Sequence, residues 1–128
     1  MSVSYLALLP RPGPVGAHAR WIPVDQPPTL AFDHATILAS AVERLQAKLS
    51  YSNVAYGLLP DEFTLSELQA VYEAVLDREI DKRNFRKKVL GLRMVVEAEG
   101  MRRGPHRPAQ LYRFPRSKLV LLDDVITA

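Results

Sequence analysis

Apolar and polar positions along the 128 residues change period more than once. At the start, short apolar runs are cut by proline and glycine. Val3 to Leu9 predicts a strand, Pro10, Pro12, Gly13, Pro14 and Gly16 break the chain, and Ala19 to Val24 predicts a second short strand ahead of Pro27 and Pro28. Two short strands cannot make a stable sheet alone, so they either pack on the following helix or belong to a larger sheet. From Asp33, placed as an N-cap, the period turns helical as far as about Leu49. Ile37, Leu38, Ala41, Val42, Leu45 and Leu49 form one apolar stripe, with Glu43, Arg44, Gln46 and Lys48 elsewhere. Tyr51 to Pro60 is a connector, with a short strand or turn of helix at Val54 to Leu59.

The second half is more sharply punctuated. Thr64-Leu65-Ser66-Glu67 is a capping box that starts a helix running to about Leu76, with Leu65, Leu68, Tyr72, Val75 and Leu76 as its buried face. After a turn over Asp77 to Ile80, Asp81 caps a further helix. Gly91 suits the position just past its end, and Phe85, Val89 and Leu92 face the core. Leu90 falls on the polar side, against the pattern. Met94 to Ala98 and Leu111 to Phe114 predict two strands of a hairpin, joined by a long loop from Glu99 to Gln110. The tail, Lys118 to Ile126, is placed as an added strand or a dimer contact. Helix, helix, strand, basic loop, strand is the order of a winged helix-turn-helix, an α+β fold of three helices plus a β-hairpin wing.

Charge changes this picture from a fold to a partner. Between Arg78 and Arg116 there are twelve Lys/Arg against four acids, a net of +8; the remainder has five bases against ten acids, a net of −5. The overall +3 therefore conceals a local field of one sign, the footprint of a polyanion binder. The absence of cysteine excludes disulfides and thiolate metal sites. No apolar run approaches the roughly 20 residues a membrane span requires, and MSVSYLALLPRPG has no cationic region ahead of its apolar stretch, so no signal peptide is expected. A cytoplasmic location fits both observations.

The helix from Asp81 carries the candidate chemistry. The second helix of a helix-turn-helix enters the major groove, with its N-terminal residues at base edges. Lys82, Arg83, Asn84 and Arg86 occupy that end. Arginine pairs bidentately with guanine and asparagine with adenine. Lys87 and Lys88 are better placed for phosphates, which position without specifying. In the wing, Arg102, Arg103, His106 and Arg107 are candidates for phosphate or minor-groove contact. A solvated charged face is the plainer explanation of either element alone; two elements of the same sign weigh against it. His18, His34 and His106 lack metal-site spacing, Asp123-Asp124 reads as a solvated tail, and no phosphate-cradling loop or nucleophile elbow is present. The residues show no catalytic constellation, and no cofactor is expected.

Three stretches, LAFDHATIL (Leu30 to Leu38), LLPDEFTLSELQAVYEAVLDREIDKRNFRKKVL (Leu58 to Leu90) and RPAQLYRF (Arg107 to Phe114), resemble in order and spacing the C-terminal region of the bacterial Nudix-related transcriptional regulators. Those proteins join a Nudix domain to a winged helix-turn-helix. The resemblance implies that residues 1–50 are a strand-strand-helix remnant from the end of a Nudix domain, that residues 51–116 are the DNA-binding winged helix, and that residues 117–128 are a tail. It implies a homodimer on double-stranded, palindromic operator DNA, and repression of NAD- or pentose-related genes. ADP-ribose or a related nucleotide acts as effector where a complete Nudix domain exists. The Nudix box itself, a glycine, a distal glutamate, Arg-Glu and a Glu-Glu pair, is echoed only by Arg78-Glu79-Ile80. Hydrolysis is therefore not expected of these residues, and the chain is expected to be either a fragment or a shortened gene product. The competing expectations are a winged helix that binds protein rather than DNA, and a fragment of a Nudix hydrolase.

Overall fold

The structure, a computed structural model, describes residues 3–105, 107–115 and 118–122. The elements run α1 (His34–Tyr51), a 3₁₀ turn (Val54–Leu58), α2 (Leu65–Leu76), α3 (Lys82–Gly91), β1 (Val96–Arg102) and β2 (Ala109–Arg113). This is the α+β winged helix the periodicity predicts, three helices and an antiparallel hairpin.

One core joins these elements. Phe63, Leu68, Tyr72, Phe85 and Val89 are almost fully buried, with Leu49 and Ala55 closing it from the α1 side. The ring of Phe85 meets Tyr72 edge-on with centroids 5.1 Å apart, and Phe63 meets Phe114 at 5.2 Å. These pairs pin α3 to α2 and the end of the hairpin to the segment before α2. The Tyr72 hydroxyl donates to the Met94 sulfur at 3.7 Å. Burial pushes its ionisation far above the usual tyrosine range, so Tyr72 stays a neutral packing group at physiological pH.

The turn of the helix-turn-helix is fixed by α2 side chains. Asp77 ends α2 in the left-handed region at φ 53°, a conformation aspartate tolerates better than most residues. Gln69 Nε2 then donates to the Ile80 carbonyl at 2.9 Å, and the Ile80 N–H donates to Glu73 Oε2 at 2.9 Å. Both polar groups of one turn residue are thus satisfied by α2, which sets where α3 begins. Asp81 caps α3 through the Asn84 N–H at 2.8 Å, as the spacing predicts.

Several local expectations are corrected. Gly91 is the last residue of α3, not the residue past it; the left-handed position is Arg93, at φ 55°. The Met94 N–H returns to the Val89 carbonyl and the Arg93 N–H to the Leu90 carbonyl, the double bond of a Schellman motif. Its accompanying apolar contact uses Met94 and Val89, both buried. Packing chose the register in which two core residues meet, and Arg93 accepts the backbone cost. Asp33 stands at the N-cap of α1 but its side chain makes no capping bond.

Neither Val3 to Leu9 nor Ala19 to Val24 forms a strand. The described residues offer them no neighbouring strand to satisfy their backbone groups, and three prolines between residues 10 and 14 carry no N–H. The strand-strand part of the expected remnant is therefore absent from the described fold, and only its helix, α1, is formed. Tyr5 is 92% and Phe32 97% exposed. Leu8 is an exception: it packs against Gly57, where an added Cβ would sit 2.9 Å from the Leu8 Cβ.

The hairpin extends further into the expected loop than the apolar pattern indicates. β1 and β2 pair from Val96↔Arg113 to Arg102↔Ala109, across an irregularity between Glu97 and Met101 where Gly100 adopts φ 98°. Gln110 fills that irregularity, donating to the Ala98 carbonyl at 2.8 Å. Each outer rung sets an apolar residue against a polar one, Met101 against Gln110 and Ala109 against Arg102, so no apolar face forms to reveal the pairing. Phe63 adds a bridge to Tyr112, with N–H to O distances of 3.0 and 2.7 Å, which roots the hairpin in the body.

The tail makes a strand-like contact in its described part. Leu121 bridges Ser52, and the nearly buried Asn53 holds the tail from both sides, donating to the Lys118 carbonyl at 2.9 Å and accepting from the Val120 N–H at 2.7 Å. Residues 123–126 of the expected strand, with Asp123-Asp124, lie outside the described residues. Asn53→Ala leaves the Val120 N–H without its partner and is expected to lower stability by about 1–3 kcal/mol. Urea denaturation measures the loss, and faster exchange of the Val120 amide locates it.

Candidate nucleic-acid interface

α3 presents its N-terminal half to solvent. Lys82, Arg83, Asn84 and Lys87 are exposed, while Phe85 and Val89 point inward. The arrangement is costly for an isolated helix. Its first turn contains no acid inside the helix, so Lys82 and Arg83 sit at the positive end of the macrodipole. Arg83 and Lys87 are like charges four residues apart on one face, a repulsive spacing. Asp81 at the cap offsets part of this. An anionic ligand along the face would relieve both penalties. Leu90, 44% exposed, continues the stripe of Arg83 and Lys87 and gives it an apolar end, which accounts for its unexpected position in the sequence pattern.

The other candidates are more constrained. Arg86 is half-buried and donates through Nη2 to the Ser66 hydroxyl at 3.0 Å, with its Nε buried and unpartnered. Arg102 donates through Nη2 to Glu67 at 3.1 and 3.4 Å. Neither Ser66 nor Glu67 is a candidate on sequence grounds, where the capping box explains Glu67 and nothing local points to arginines 20 and 35 positions away. Ser66 and Glu67 therefore stand between α3 and the wing, each holding an arginine from one of them.

Arg103 and Arg107 are exposed across a shallow cleft of about 360 Å³ from the first turn of α2, whose lining includes Thr64, Ser66 and Glu67. α3, through Arg86, and the cationic wing, through Arg102, thus meet the same helix end. Lys88 is half-buried, less open than the phosphate-contact role assigned from spacing suggests. His106 lies outside the described residues. Among the described residues no group of three or more His, Asp or Glu is placed to hold a metal, and no helix is long and apolar enough to cross a membrane.

Comparison with known proteins bears on this geometry. The family model described as the NrtR DNA-binding winged helix domain matches residues 55–114. The ADPR responsive transcriptional repressor NtrR of Acinetobacter baylyi is 38% identical over 99 residues, which is 76% of this chain and 40% of that protein. Shewanella oneidensis NrtR complexed with a 27mer DNA superposes with a TM-score of 0.62 at 40% identity, over 71% of this chain and 41% of the other. The structure of Shewanella NrtR without DNA gives 0.59 at 40% identity, over 67% and 39%. The chain spans about two-fifths of the length of these relatives. Over residues 55–114, fold and sequence agree, and this segment is an NrtR-like winged helix domain.

Proposed function

We propose that this chain is the sequence-specific DNA-binding module of a transcriptional repressor. The observation that carries the proposal is the joining of two cationic elements, α3 and the wing, at one end of α2. In this reading Lys82, Arg83 and Asn84 meet base edges in the major groove, Lys87 meets phosphate, and Arg103, His106 and Arg107 meet the backbone from the wing. Leu90 supplies an apolar contact at the far end of the same face. Residues 51–116 carry this activity. Residues 1–50 are assigned to the end of a Nudix domain, and the working form is a homodimer on a palindromic operator in the bacterial cytoplasm. Any response to ADP-ribose or a related nucleotide, as in the Acinetobacter relative's name, is assigned to a complete Nudix domain, and regulation of NAD- or pentose-linked genes is what the family resemblance of the sequence implies. No hydrolytic role is assigned to the described residues.

Fluorescence anisotropy on a duplex selected by the chain from a randomised pool tests the reading. The logarithm of the binding constant should fall linearly and steeply with the logarithm of salt concentration. Arg83→Ala should cost about 1–3 kcal/mol on the selected duplex and less on random sequence, as expected for a bidentate base contact. Binding that ignores salt, or no binding at all, would refute the proposal.

A second reading is favoured by one observation only. Val3, Tyr5, Leu6, Leu9, Trp21, Ile22 and Phe32 are exposed apolar residues ahead of a half-buried α1 stripe. That surface suits protein contact, and we assign it to dimerisation or Nudix packing rather than to a rival function. Binding activity that survives neutralisation of Lys82, Arg83, Arg86 and Lys87 would reverse that priority.

A further inference from the structure

We propose that Glu67 is a positioning residue for DNA binding: through Arg102 it sets the angle of the wing, and Arg102 acts as an internal strut rather than as a DNA contact. The inference rests on the DNA-binding reading above.

The hairpin is rooted against the core at one end, and its outer rungs mix apolar and polar residues. At the root, Tyr112 is bridged to Phe63 and paired with Glu97, next to the core. Beyond the irregularity at Gly100, the outer rungs are Met101↔Gln110 and Arg102↔Ala109, and Met101 and Arg102 are exposed. A two-stranded ribbon is marginal by itself, and a glycine at positive φ between root and tip is where such a ribbon bends. The outer half therefore needs a tether. Arg102 supplies it from the last residue of β1, immediately before the loop that carries Arg103 and Arg107.

The partner carboxylate is already fixed. Glu67 Oε1 accepts the Thr64 N–H at 2.9 Å while Thr64 Oγ1 accepts the Glu67 N–H at 3.1 Å, and the same Oε1 accepts from Arg102 at 3.1 Å. Exposed ion pairs are weak chiefly because two flexible side chains must be ordered. Here the capping box has ordered one of them before the pair forms. An acid beside a DNA-binding surface should repel the ligand; beyond its capping role, the pairing of Glu67 with Arg102 offsets that charge and holds the wing where Arg103 and Arg107 reach the backbone.

The test is a double-mutant cycle with Glu67→Gln and Arg102→Met, read by anisotropy on a duplex selected from a randomised pool by the unmodified full chain, at several salt concentrations. Glutamine keeps the carbonyl that accepts the Thr64 N–H, so the melting temperature should stay close to that of the parent, which controls for folding. Each single variant is expected to weaken binding about three- to fivefold, the range of a well-ordered surface ion pair, with the double variant no weaker than Arg102→Met. The salt slope should be unchanged, because no phosphate contact has been lost. In a background with Glu67, Arg102→Lys should restore most of the affinity. Tighter or unchanged binding by Glu67→Gln, additive losses in the double variant, or a slope reduced by about one in Arg102→Met each overturn the proposal. Failure of the unmodified chain to bind DNA overturns the parent reading instead, so the two failures are distinct.

Discussion

Replacing Lys82, Arg83 and Lys87 together with alanine is expected to remove nearly all measurable affinity for the selected duplex while leaving the fold intact. Each exposed contact to base or phosphate contributes on the order of 1–2 kcal/mol, so three imply a loss of roughly a hundred- to ten-thousandfold. The slope of affinity against salt should also become shallower, since fewer counterions are released on binding. Stability should hold or rise slightly. The three residues are exposed, alanine is the better helix former, and the change removes the Arg83–Lys87 repulsion and the cations at the positive helix end. Lost binding with an unchanged or higher melting temperature places the function on this face. Retained affinity would move it elsewhere.

Phe85→Ala should have the largest effect on stability, about 3–5 kcal/mol. Phe85 is 1% exposed and meets Tyr72 edge-on at 5.1 Å, so the substitution opens a cavity and deletes the contact that seats α3 on α2. For a domain whose total stability lies within about 5–15 kcal/mol, the urea midpoint should fall by roughly 2–4 M. DNA binding should fail under conditions that unfold the variant and return where folding is restored. Phe85→Leu keeps most of the volume and should cost below about 1.5 kcal/mol. A small shift for Phe85→Ala would mean that α3 is held mainly by the turn, through Gln69 and Glu73, rather than by the core.

Signals carried within a few residues are legible in the sequence. The Thr64/Glu67 capping box, the Asp81 cap, the buried face of α2 and the inward Phe85 and Val89 all appear where spacing places them. Each depends on helical periodicity or on a side chain reaching a backbone group three residues away. The cationic face of α3 is legible for the same reason. Features that need a distant partner are not. Phe63 as a bridging partner of Tyr112, Asn53 as the clamp on the tail, and Ser66 and Glu67 as holders of arginines have no local signature. The two N-terminal segments err in the opposite direction: β-rich composition predicts strands, but a strand exists only when another pairs with it.

The position of Arg93 shows how the two levels divide. A glycine at 91 supplies the residue that a left-handed helix end prefers, yet the chain turns two residues later, where Met94 can meet Val89 in the core. Local hydrogen bonding and summed charge are enough to specify that residues 64–91 form two capped helices, that a hairpin follows, and that this half of the chain is strongly positive. Tertiary contacts settle which positive charges face outward and which are taken up within the protein. Arg83 and Lys87 stay open because the core claims the opposite side of α3. Arg86 and Arg102 are held because folding brings the first turn of α2 between the two cationic elements, and a nearby hydroxyl or carboxylate engages a guanidinium whatever their separation along the chain.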